Sequence, residues 1–215
     1  MKSIEPALVI GLFDRFASRF EAERDALIAL DGKVGDSDLG LTMSKAFVAA
    51  RDRVHELEQP SLGDLMKHAG AAISKAAPST MGTLMATGFM RGGKALSEAS
   101  VLDISGLAAF WRAYADGVAQ RGKAQLGDKT VLDVLDPIAQ AYEAQNTDGA
   151  DLAIAGQVAA RAAAEALEAT KQMVAQHGKA AAFQEKTVGL QDAGGTVACM
   201  LAEELGLFLN EQALS

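Results

Sequence analysis

The chain has 215 residues, 49% of them hydrophobic and 22% charged, a balance that supports a soluble core. A formal net charge of −8 argues against nucleic acid as partner, because binding a phosphate backbone needs concentrated Lys and Arg. The single Cys199 excludes an intrachain disulfide, and its apolar surroundings read as a buried structural thiol in a reducing compartment. With no signal-peptide pattern and no run of about 18 uncharged apolar residues, a cytoplasmic protein without a membrane span is expected.

Taken in chain order, residues 6–30 read as a first helix opened by Pro6. Leu8, Leu12, Phe16, Phe20 and Leu27 form its apolar stripe, and Arg15, Arg19, Glu21 and Arg24 its polar face. A Gly-bearing turn, Leu30-Asp31-Gly32-Lys33-Val34-Gly35-Asp36-Ser37-Asp38-Leu39-Gly40, follows and sets three carboxylates at i, i+5 and i+7. The second helix spans about 39–57, with Leu41, Ala46, Val48, Ala49 and Val54 as apolar positions, and ends at Gln59-Pro60. Ser61-x-x-Asp64 resembles a capping box for a third helix, about 62–76, which stops before Pro78. Ser79-Thr80-Met81-Gly82 opens a fourth helix, rich in Gly and Ala, for which close helix packing is the favoured explanation.

Asp103 caps a fifth helix that holds Leu107, Phe110, Trp111 and Tyr114 and ends near Gly122. Gly127-Asp128-Lys129-Thr130 opens a sixth, with Pro137 as a candidate kink. An Ala-saturated seventh helix is expected over about 150–176, closed by His177-Gly178. Lys186 to Thr196 forms the last loop before an eighth helix that runs to about Leu209. No segment shows sustained β alternation. The fold class is therefore all-α, one domain over 1–215, with about eight helices in an antiparallel up-and-down bundle or closed barrel.

In that topology every odd-to-even loop lies at the same end. Those four loops hold the acidic turn, Ser79-Thr80, Gly127 to Thr130 and Gly189 to Thr196, whereas the opposite connections are plain polar turns. A hard cation wants several oxygens, which Asp31, Asp36 and Asp38 can supply, and the following helix start offers N–H groups to phosphate. The plainer alternative is a helix–helix turn with Asp38 as N-cap and Asp31 and Asp36 solvated. The asymmetry of the two ends favours a site. Lys129 reads equally as a phosphate partner or a solvated helix-start residue. His55, His68 and His177 are placed outside the four loops.

At these loops the chain resembles the nucleotide-binding L subunit, or L domain, of dihydroxyacetone kinases. The family's L-D-x-x-x-G-D-G-D-H-G is matched by Leu30-Asp31, Gly35-Asp36, Asp38 and Gly40, and its G-D-K/R-T-M-x-D by Gly127 to Asp133. Its closing R-S-x-G-x-x-D-x-G-A is matched by Lys186 to Gly195. The resemblance covers essentially the whole chain and implies an eight-helix antiparallel barrel that binds ADP or ATP through Mg²⁺, two ions being usual. It implies Asp31, Asp36 and Asp38 as metal ligands and catalytic carboxylates. Leu39, Gly40, Leu41 and Thr42, at the following helix start, would offer backbone N–H groups to phosphates; Thr80 and Met81 occupy the family's phosphate-contacting turn, with Ser79 adjacent. Gly122 and Val131 would line the base and ribose pocket, and Lys186, Asp192, Ala193 and Gly194 would close over the nucleotide.

The chain departs from the family at Leu39 (usually His), Thr42 (usually Asn), Met81 (a small hydroxyl residue) and Lys186 (an Arg, whose planar fork a Lys does not replace). The implied function is the nucleotide-binding half of a kinase whose ketose sits on a separate K subunit. The donor is either ATP or a phosphotransferase-system protein, and a homodimer is left open. The alternative is a catalytically weak nucleotide-binding regulatory module that binds a partner protein.

Overall fold

The computed structural model describes residues 1–214. Its helices are α1 (Pro6–Ala22), α2 (Arg24–Asp31), α3 (Leu39–His55), α4 (Leu62–Ala76), α5 (Thr80–Ala95), α6 (Ile104–Gly122), α7 (Leu132–Gln145), α8 (Leu152–Ala169) and α9 (Ala193–Leu214). Neighbours in the chain pack on one another, and α9 returns to α1, closing a ring around one contiguous apolar cluster. The expected all-α barrel is therefore what forms. No described helix is long and apolar enough to cross a membrane.

The expected first helix is two helices. The chain turns at Glu23 (φ −91°, ψ 6°), although the amides of Glu23 and Leu27 still bond to the Arg19 and Glu23 carbonyls at 3.0 and 2.9 Å. Backbone bonding thus carries the apolar rhythm through a bend that no Gly or Pro announces. The bend lets α2 lie along α3, where Gly40 is indispensable: a Cβ there would stand 2.0 Å from the Arg24 carbonyl oxygen.

The inward stripe of α1 is Val9, Leu12, Phe13, Phe16, Ala17 and Phe20, with Leu8 47% exposed, so the expected stripe was wrong at its first position. In α3 the buried set is Leu39, Met43, Ala46, Phe47, Ala50 and Val54, while Leu41 points outward. Phe47 stacks on Phe20 (ring centroids 4.4 Å apart) and meets Phe16 and Phe89 edge-on, joining three helices through aromatic contacts. The small residues of α5 serve packing, as expected. Cβ atoms at Gly88 and Gly92 would stand 2.2 and 2.4 Å from the rings of Tyr114 and Phe110.

The Ser61 and Asp103 caps form, with the Asp64 carboxylate meeting the Ser61 hydroxyl where a full capping box would meet the Ser61 amide. Ser61 Oγ accepts from the Asp64 amide at 3.1 Å and donates to its carboxylate at 2.8 Å, and Asp103 accepts from Gly106 N–H at 2.8 Å. The expected β-free chain has one exception, an antiparallel pair of two-residue strands, β1 (Ser3–Ile4) on β2 (Leu102–Asp103). The α1–α9 seam carries ion pairs along its outer edge: Arg15 and Arg19 reach Glu204 and Glu203. Cys199 is buried near Glu203, and burial first, then that carboxylate, push its thiol up to about 12, as befits an inert structural residue.

The seventh expected helix overruns what forms. α8 stops at Ala169, where fully buried Thr170 donates to the Leu167 carbonyl (2.6 Å) and accepts from the Asp192 amide (3.0 Å). A tertiary tie between the two ends of the α8–α9 connection overrides helix propensity. The chain then runs through a long irregular segment with a 3₁₀ stretch, Ala180–Thr187.

Candidate nucleotide and metal site

All four Gly- and Asp-rich connections meet at one end of the ring and line a cleft of about 520 Å³. That size lies within the ordinary range for small-molecule sites. One wall is the acidic turn. The ligand oxygens of Asp31, Asp36 and Asp38 lie within 4.8 Å of one another, as a cation bound by all three requires.

The turn is shaped for this. Gly35 leaves room for the Asp31 carboxylate, whose oxygen would stand 2.1 Å from a Cβ at that position. Ser37 adopts φ +62°, reversing the chain between Asp36 and Asp38. Asp31 Oδ2 accepts from the amides of Asp38 (3.0 Å) and Leu39 (3.4 Å), so it is Asp31 that caps α3. Asp38, expected on the plainer reading to be the cap, makes no side-chain capping bond.

The Asp36 carboxylate is ion-paired with Lys179. A cationic group already stands at the cluster, as expected of a site built for positive charge. The donor set and this stand-in fit a hard divalent cation.

Across the cleft stand the N-termini of α5 and α9, bringing partial positive charge and N–H groups. Ser79 accepts from Gly82 N–H at 3.0 Å, so its hydroxyl is the α5 cap, while Thr80 is exposed beside it. Asp192 accepts from Gly195 N–H at 2.6 Å and thereby caps α9. Desolvation, with Asp133 adding to it, pushes the Asp192 carboxyl up to about 7 against the opposing pull of its amide bonds and Lys129.

Of the expected site residues, the cleft gathers Asp31, Asp36, Asp38, Leu39, Ser79, Thr80, Met81, Asp192, Ala193 and Gly194. Six others lie off it. Gly40 is taken up by the α2 crossing, and Leu41 and Thr42 line a separate groove behind Asp38. Gly122 stands behind Leu84, which does line the cleft, and buried Val131 lies beneath Gly194. Lys186 is exposed beyond a reversal at Gln184 (φ 49°), and Lys179 takes the place at the carboxylates. Leu39 lines the cleft with a side chain that is 5% exposed and packs in the core, while its backbone N–H, the group expected at phosphate, points at Asp31 Oδ2 (3.4 Å).

Sequence reasoning also missed His177. It was placed outside the site, yet it lines the cleft with Nε2 2.9 Å from Asp128 Oδ2. The available signal was a basic pair about a Gly, His177-Gly178-Lys179, in the connection expected to face that end. Lys129 follows neither expected role: it is 4% exposed and donates to three backbone carbonyls. Burial lowers its ammonium below the usual lysine range, with Asp192 opposing.

A family model described as the DAK2 domain matches residues 33–206. The chain is 28% identical over 209 residues to the ADP-binding subunit DhaL of the PEP-dependent dihydroxyacetone kinase of Escherichia coli, covering 97% of this chain and all of that one. It is 33% identical over 202 residues to an L-erythrulose 1-kinase of Mycolicibacterium smegmatis, covering 92% of this chain but only 34% of that enzyme. The crystal structure of the dihydroxyacetone kinase from C. freundii in complex with AMP-PNP and Mg²⁺ shares the fold, with TM-score 0.73, 24% identity, and 96% of this chain and 34% of that one covered. The chain belongs to the DAK2 domain family.

Proposed function

We propose that the whole chain acts as the nucleotide-binding subunit of a dihydroxyacetone-type kinase. It holds ADP or ATP with Mg²⁺ and passes a phosphoryl group to a short ketose carried by a separate K subunit. The observation that carries this reading is the set of three Asp ligand oxygens within 4.8 Å of one another, in a cleft also walled by two helix N-termini. The relatives named as ADP-binding subunits and erythrulose kinases support the nucleotide and the short-ketose class. The full-length match to a subunit of a PEP-dependent kinase favours ADP as the resident nucleotide.

Phosphoryl transfer needs positioning and charge neutralisation more than covalent help from protein. Magnesium held by Asp31, Asp36 and Asp38 would offset negative charge on the phosphates. The chain's own part is to present the amides at the starts of α5 and α9, and the ammonium of Lys179, to the same anion. Thr80 offers a hydroxyl at the α5 start, and Leu39, Met81 and Leu84 provide apolar wall. Purified protein should carry ADP and magnesium, detectable by mass spectrometry after denaturation and by elemental analysis. A preparation that neither holds nor takes up either would contradict the reading.

A further inference from the structure

The 173–190 segment roofs the cleft and carries His177 and Lys179, yet it buries only Ala175 and Thr187. So little apolar burial cannot order 18 residues against a conformational cost of about 1 kcal/mol or more each. Besides the Lys179–Asp36 ion pair and the bond from the Gly189 amide to the Lys171 carbonyl (2.8 Å), its polar attachments converge on one turn. Lys129 Nζ donates to the carbonyls of Met173 (3.1 Å), Thr187 (2.5 Å) and Leu190 (2.7 Å). The Gln176 amide donates to the Asp128 carbonyl at 3.0 Å, and His177 meets the Asp128 carboxylate at 2.9 Å.

The turn is itself locked. Asp133 accepts from the amides of Gly127 (2.6 Å) and Thr130 (2.7 Å), Asp128 accepts from that of Gln125 (2.7 Å), and Lys129 sits at φ +58°. A lysine ammonium has three donors. All three of Lys129's are committed to carbonyls at both ends of the segment, leaving none for phosphate.

We infer that the Gly127–Thr130 turn is a buckle that holds the 173–190 segment, with His177 and Lys179, over the three carboxylates. Lys129 is then a positioning residue for nucleotide binding and not a phosphate ligand. The inference rests on the nucleotide reading of the cleft only for its effect on affinity; the anchoring stands apart from it.

Hydrogen exchange on the nucleotide-free full chain tests the anchoring. In the wild type the amides of Ala175, Gln176 and Gly189 should be protected as a group. Lys129→Met should speed their exchange at least tenfold while amides within α3 to α6 keep wild-type rates. Asp128→Ala, which keeps the backbone carbonyl but frees His177, should give the same regional pattern more weakly, and it serves if Lys129→Met does not fold. Calorimetry should show Mg-ADP binding weakened about tenfold by Lys129→Met, or about 1.4 kcal/mol. Saturating Mg-ADP should restore the lost protection; a general loss of stability is told apart by the α3 to α6 amides, whose exchange it would also speed.

Unprotected amides in the wild type, unchanged exchange in the variants, or acceleration spread over the whole barrel would each overturn the buckle. Faster exchange with unchanged Mg-ADP affinity would overturn the positioning role. A wild type that fails to bind Mg-ADP refutes the nucleotide reading and leaves the exchange result to decide the buckle by itself.

Discussion

At the scale of single residues, the carboxylates divide into two kinds. Asp36 and Asp38 are exposed toward the cleft, and Asp31 spends one oxygen on the α3 amides. Asp192 behaves differently, because desolvation pushes it up to about 7. A carboxyl whose folded pKa lies above its unfolded value keeps a proton in the folded state that the unfolded chain has already lost. Stability therefore falls as pH rises from about 4 to about 7 and levels off above that. Asp192→Asn keeps an acceptor for Gly195 N–H but removes the titration, so it should gain melting temperature over the wild type at pH 8 and not at pH 4.5. Each 1 kcal/mol of relief corresponds to about 2–4 °C in a chain of this size. Equal differences at both pH values, read by calorimetric melting, would refute the assignment.

Residue-scale legibility was uneven for a physical reason. Asp31, Asp36 and Asp38 lie in one short turn, so their convergence is local and readable. Lys179 meets Asp36 across 143 positions, and Lys129 reaches carbonyls 44 to 61 positions away. Partnerships of that kind have no local signature.

At the scale of elements, patterning located the helical stretches but merged α1 with α2 and placed some faces and ends wrongly. Caps such as Ser61 and Asp103 use their own neighbours three residues on, and they form. The break at Glu23 was invisible because backbone bonds bridge it, and the end of α8 because a remote Asp192 amide sets it. The small residues of α5 carry a prediction. A methyl at Gly88 would meet the buried Tyr114 ring at 2.2 Å, and that ring is hemmed by Phe89, Phe110 and Trp111. Overpacking of this kind costs about 1–3 kcal/mol. Gly88→Ala should lower the denaturant midpoint accordingly while Mg-ADP affinity stays within about twofold, since Gly88 packs on Tyr114 and does not itself line the cleft. Unchanged stability would mean that the α5–α6 contact has slack the structure does not show.

At the scale of the molecule, the ring gathers four connections at one end, and that arrangement was legible from loop composition alone. It also separates labour: the barrel supplies rigidity, and the cleft supplies charge and N–H groups. Among the described residues His177 is the one histidine lining the cleft, and its Nε2 is held by Asp128. The isolated chain with ATP should therefore leave dihydroxyacetone unphosphorylated until a ketose-binding subunit is added; steady turnover by the chain alone would refute the half-enzyme reading. Saturating nucleotide should also stabilise the fold, by about 2.7 kcal/mol at 100 times Kd.

The central claim is that three carboxylates of one turn hold the metal of a metal-nucleotide complex. Isothermal calorimetry of Mg-ADP with the wild type, Asp36→Ala and Asp38→Ala tests it most directly, with helical circular dichroism recorded on the same samples. The account predicts one binding event in the wild type and none measurable in either variant, with unchanged helical content. Wild-type affinity retained in both variants would contradict it.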